Sequence, residues 1–159
     1  MGLDCSLYAK IYIKEVKTKN IKFIQLWDRE NKTLDIATDK LNKLEYNVGY
    51  WRKANWIHKW FVDNVQEGED DKREYLVSRN NLLKLKELCT KILIDKGNKK
   101  FAEEVLPPED GFWFGNTDTS NSDFWLHYFK TLEDTIKFID IALHYQKVYQ
   151  ANIYYQGIW

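Results

Sequence analysis

Residues 3 to 14 alternate without interruption: Leu3, Cys5, Leu7, Ala9, Ile11 and Ile13 are apolar, while Asp4, Ser6, Tyr8, Lys10, Tyr12 and Lys14 fall between them. Side chains two apart on a strand share a face, so this segment is a strand with one buried and one wet side. Such a strand needs a second layer over its apolar face, and two later stretches supply one at helical spacing. Over residues 79 to 95, Leu82, Leu85, Cys89, Ile92 and Leu93 share one side and Lys84, Glu87 and Lys91 the other, with Ser78 placed as N-cap. From about Asp123 to Tyr149, Leu132, Ile136, Ile139 and Leu143 form a stripe opposite Glu133, Lys137, Asp140 and His144.

Further strands are expected. "KTKN" is a turn after which "IKFIQLW" returns as the second strand of a hairpin, residues 33 to 42 are ambiguous, and Leu44, Tyr46 and Val48 alternate with Lys43, Glu45 and Asn47. Gly49 reads as a break before a helix, "REYLVS" as a short strand and "NIYYQGIW" as a last one. A short helix near "FAEEVL" ends at Pro107 and Pro108. The expectation is one α+β domain over residues 1 to 159, an antiparallel sheet packed against about three main helices.

Lys plus Arg number 24 and Asp plus Glu 24, so no whole-molecule field draws the chain to nucleic acid or an anionic membrane. Seven Trp, ten Tyr and eight Phe give a surplus of ring surface that suits a protein interface. Cys5 and Cys89 lack metal-ligand spacing and read as reduced core residues. No apolar run approaches a membrane span, and the N-terminus lacks the basic and apolar regions of a secretion signal. An intracellular, cytoplasmic protein without cofactor or metal is expected.

The segment "GYWRKANWIHKWFVDN", residues 49 to 64, concentrates the chemistry. Projected as a helix, it puts Trp51, Ala54, Asn55, Ile57, His58, Phe61, Val62 and Val65 on one arc, and Arg52, Lys53, Trp56, Lys59, Trp60 and Asp63 opposite. His58 is a general base or metal ligand with Asn55 as its orienting partner, or a buried residue satisfied within the core; the core side of the projection and the lack of a second ligand at suitable spacing favour burial. Trp56 and Trp60 with Arg52, Lys53 and Lys59 make a ring-and-cation patch. Three readings of it stand: covered core, protein interface, or a platform for stacked bases.

"EGEDDK" carries Glu67, Glu69, Asp70 and Asp71 without the spacing of a calcium loop. It reads as a solvated loop, with Glu69, Asp70 and Asp71 as a second contact for a basic partner. "GFWFG" is not a phosphate loop, since it lacks the Lys and the glycine spacing, and no nucleophile elbow or dinucleotide fingerprint occurs. No catalytic residue is assigned.

"MGLD" before a strand, "GYWRKANWIHKWFVDNVQ", "YLVSR" opening a helix, "PPEDGFWFGNTD" and a terminal "YYQGIW" together resemble a family of small proteins encoded by phages, prophages and their bacterial hosts. The resemblance covers nearly the whole chain and carries no catalytic residues. It implies an accessory protein that evades host defence in the bacterial cytoplasm, in the manner of an anti-CRISPR inhibitor binding an effector nuclease. The alternatives are a small nucleotide- or nucleic-acid-acting enzyme using His58, and a single-strand nucleic-acid binder.

Overall fold

The computed structural model describes residues 2–12, 23–27, 33–37, 42–95, 98–111 and 115–159. The elements in order are β1 (Asp4–Tyr12), β2 (Phe23–Trp27), β3 (Thr33–Ala37), β4 (Lys43–Arg52), α1 (Asn55–Asn64), β5 (Tyr75–Leu76), α2 (Arg79–Ile94), α3 (Lys99–Val105), α4 (Ser122–Tyr149) and β6 (Asn152–Ile158). A four-stranded antiparallel sheet has the order β4-β1-β6-β5, and β2 pairs with β3 in a separate two-stranded sheet. The fold is α+β, with α1, α2 and α4 as the main helices and α3 a short one.

The alternation of β1 holds: Leu3, Cys5, Leu7, Ala9 and Ile11 are all buried. Its partners differ from the expected hairpin. β1 pairs with β4 on one side and β6 on the other, and "FIQLW" pairs with β3 instead. The "KTKN" turn and Ile13 lie outside the described residues. Lys10, on the nominally wet face, is nonetheless covered; its ammonium meets Glu74 and Glu45 and lies 4.7 Å from the centre of the Tyr154 ring.

β4 shows why Gly49 does not end the strand. In its register with β1, Leu7 faces Gly49 and Tyr8 faces Asn47, which leaves Val48 as a bulge. The extra residue shifts the phase of the alternation, so Gly49 and Trp51, opposite Leu7 and Cys5, share the inward face that Leu44 and Tyr46 hold opposite Ile11 and Ala9. A side chain at Gly49 would sit 2.8 Å from Phe138 Cβ, so the glycine is where α4 comes down onto the strand. Trp51 packs edge-on to Phe138 at 5.3 Å, and its indole N–H donates to Thr135 Oγ1 at 2.8 Å. The helix begins only at Asn55, after Lys53 turns the chain with a left-handed φ of 55°.

α2 starts where expected, Ser78 Oγ accepting from the Asn81 amide at 3.1 Å, and buries Leu82, Leu85, Cys89 and Ile92. α4 starts behind an Asn121 cap; of its stripe, Leu132 and Ile139 are fully buried and Ile136 and Leu143 partly so. It packs against α2, β1 and β4. Among the described residues no helix is long and apolar enough to cross a membrane.

The Trp51–Thr135 bond is buried at both ends and joins sheet to helix. Thr135→Val keeps the shape but leaves the indole N–H without an acceptor, and should cost about 1–3 kcal/mol in urea unfolding. Thr135→Ser, which restores the oxygen, should recover most of that loss.

Candidate functional site

α1 is enclosed on both sides, and this decides the fate of every residue singled out in it. Asn55, Trp56, Ile57, His58, Trp60, Phe61 and Val62 are all buried. On the sheet side, Phe61 stacks on Tyr155 of β6, with ring centres 3.9 Å apart and planes 8° from parallel. On the other side, Trp56 packs against Phe124 at 5.6 Å, His127 at 5.4 Å and Tyr128 at 4.8 Å, all on α4.

The outward ring patch expected from the projection is therefore corrected. Trp56 is 0 % and Trp60 8 % exposed, because the first turns of α4 and the segment after α3 form a second layer over them. Of their cationic neighbours, Lys59 is held by Asp63 at 3.2 Å and Glu109 at 3.6 Å. Arg52 and Lys53 belong to the end of β4 and the turn after it, where they line a separate cavity with residues of α4.

His58 is buried, as the projection implies, but Asn55 is not its orienting partner. The Asn55 side-chain oxygen accepts from the Glu109 amide at 3.0 Å, which ties the segment after Pro108 to α1. His58 lies between Tyr155, whose hydroxyl is 2.7 Å from Nδ1, and Asp70, whose Oδ1 is 2.9 Å from Nε2. A carboxylate only accepts, so the neutral ring carries its proton on Nε2 and takes the Tyr155 hydroxyl proton at Nδ1. Behind Tyr155 the Cys5 thiol contributes a further side-chain hydrogen bond. The polar line thus runs from a strand interior, through β6 and α1, to a surface loop.

Burial dominates the electrostatics of this line. It holds the His58 imidazole below its ordinary 6.5, against the opposing charges of Asp70 and Glu109. It pushes the Cys5 thiol up to about 12, and raises the Tyr155 hydroxyl well above its ordinary value. Cys5 therefore stays a thiol at neutral pH, unlike a reactive nucleophile.

The acidic loop is more ordered than a solvated run of charge. Asp70 turns in to His58, while Glu69 and Asp71 both bind Arg73, Glu69 Oε2 lying 2.6 Å from Nη2. Asp71 also accepts from the Tyr75 hydroxyl at 3.0 Å. Among the described residues no group of three His, Cys, Asp or Glu side chains is spaced to hold a metal ion. The aromatics of "GFWFG", residues 112–114, lie outside the described residues.

Tyr155 and Gly157 are the residues that sequence reasoning missed. Their signal was a glycine inside a strand, which marks a close approach. A side chain at Gly157 would sit 2.8 Å from His58 Cε1, so His58 needs that bare backbone to lie down on the sheet.

Two measurements probe this arrangement. The unfolded imidazole takes a proton near 6.5 and the folded one only at lower pH, so His58 stabilises the fold fully above about pH 6.5 and loses that contribution as pH falls toward its folded value. Urea unfolding should show stability declining from pH 7 to pH 5, with a shallower slope in His58→Gln. Trp56→Ala should cost about 3–5 kcal/mol by cavity formation, measured by the same method at pH 7.

No family model, no curated protein and no solved structure matches this chain, so its own geometry carries the functional reading.

Proposed function

We propose that the chain is a binding protein of phage or mobile-element origin that acts in the bacterial cytoplasm by occupying the surface of a host defence nuclease, of the CRISPR effector kind. The observation that supports this reading is an aromatic surface on the last turns of α4 and the adjoining strand. Ile141 (43 %), Val148 (52 %) and Tyr149 (46 %) of α4 and Tyr46 (41 %) of β4 are exposed. Tyr145 stands between the two tyrosines, its ring 5.3 Å from each. His144 closes one flank, 6.2 Å from Tyr149.

Tyrosine suits such a role because it covers a large apolar area with few rotatable bonds and keeps a polar tip. The exposed positions 141, 148 and 149 lie on the side of α4 away from the core that Leu132 and Ile139 enter, and Tyr145 beside them packs partly against that core. The ring surplus of the sequence thus divides, with Trp56, Trp60, Tyr128 and Tyr155 in the core and Tyr46 and Tyr149 outside. Wholly buried and engaged at both ring nitrogens, His58 favours this reading over acid–base work at that residue.

The test is inhibition of DNA cleavage by a panel of CRISPR effector nucleases. Wild-type protein should inhibit at least one of them. Val148→Asp with Tyr149→Ala should weaken inhibition by about thirtyfold or more, the scale of a lost hot spot, with an unchanged circular dichroism spectrum. Absence of inhibition across the panel, or equal inhibition by the variant, overturns the reading.

A further inference from the structure

The turn between β4 and α1 and the first turns of α4 border an open cavity of about 440 Å³, lined by Arg52, Lys53, Asn116, Asp123, Phe124 and His127. Its volume lies in the range of small-molecule sites, about 300–1,000 Å³, and exceeds what an inorganic anion fills. Many cations of this molecule are neutralised by a carboxylate. Lys10, Lys59, Arg73, Lys86, Lys91 and Lys130 each meet a carboxylate. Arg52 and Lys53, adjacent in sequence and on one wall, have no carboxylate within ion-pair distance among the described residues.

From these features we propose that the cavity binds a phosphate monoester carried on a flat ring, of the aryl or nucleoside monophosphate class. Two unpaired cations side by side match a dianion better than a single carboxylate, the guanidinium offering paired donors and the ammonium a point charge. Phe124 and His127, backed by the buried Trp56 ring, give the rest of the cavity an aromatic wall. Asp123 and Asn116 in the lining supply acceptors suited to hydroxyl or amino groups of the ligand. The proposal rests on the cavity and its cations, and is independent of the tyrosine surface.

Backbone geometry fixes the cationic wall. Lys53 has a φ of 55° and Gly115 one of 97°, and a side chain at Gly115 would lie 2.9 Å from Lys53 Cβ. Arg52 and Lys53 are both exposed, so replacing their charged groups leaves the core untouched.

The experiment is isothermal titration calorimetry of the full chain with phenyl phosphate, adenosine monophosphate, inorganic phosphate and benzyl alcohol. The two ring phosphates should bind, with inorganic phosphate and the neutral alcohol each weaker by about tenfold or more. Arg52→Gln and Lys53→Gln should each weaken the ring phosphates by about tenfold while Val148→Asp leaves them unchanged. Failure of both ring phosphates to bind at millimolar concentration overturns the proposal, as does binding that survives both charge substitutions. Equal affinity for inorganic phosphate removes the ring from the recognition and overturns the assigned class. Affinity for single-stranded DNA that rises with its length, without affinity for the monophosphates, replaces the proposal with a nucleic-acid path.

Discussion

β1 has both its edges paired, by β4 on one side and β6 on the other, and the β1–β6 register decides where nearly everything else goes. Cys5 sits opposite Gly157 and Leu7 opposite Tyr155 in that pairing. The inward side of β6 is thereby Ile153, Tyr155 and Gly157: an aliphatic residue, a ring with a hydroxyl, and bare backbone. α1 rests on this surface, with Phe61 on the ring and His58 over the glycine. Segments from opposite ends of the sequence make the platform, so the sheet forms at the cost of a long loop closure and is expected to fold late relative to its helices.

α1 is consequently a core element that carries polar cargo. Its polar side chains are handled in different ways: His58 by a tyrosine and an aspartate, Asn55 by a loop amide, Lys59 by two carboxylates. The Trp56 indole N–H is buried and meets no hydrogen-bond acceptor among the described residues. Satisfied buried polar groups define one arrangement of the surrounding segments, since each partner lost leaves a desolvated group behind. That is why the acidic loop and the segment after Pro108, which have no regular structure of their own, are nevertheless tied to the helix.

Features that depend on local pattern were legible in the sequence. The inward residues of β1, the Ser78 cap and apolar stripe of α2, the extent of α4 and the burial of His58 all follow from periodicity within one element. What was not legible depends on a second element. The return strand was misassigned because "IKFIQLW" has the composition of a partner for β1, while pairing is settled by competition with β4 and β6. Trp51 and Arg52 fitted a helical projection because nothing local reveals that β4 continues past the Val48 bulge, and Lys53 because nothing local reveals its left-handed turn. Trp56 and Trp60 lay among charges on a wheel, which counts neighbours on one helix and has no knowledge of a layer beyond it. Asp70 was one of four similar carboxylates in a short loop, and only its approach to His58 separates it from Glu69 and Asp71.

Gly115 and Lys53 illustrate how two distant pieces of chain can act as a gauge for each other. Lys53 occupies a backbone region that side chains disfavour, and the glycine opposite it has no side chain to push with. The gap between the two segments is therefore set by main chain against Cβ, a contact with no rotamers to absorb error. A methyl group added at residue 115 could be accommodated only by moving backbone. The spacing of the two rims at that point is a property of covalent geometry, and it holds whichever way the lysine and arginine heads swing in water.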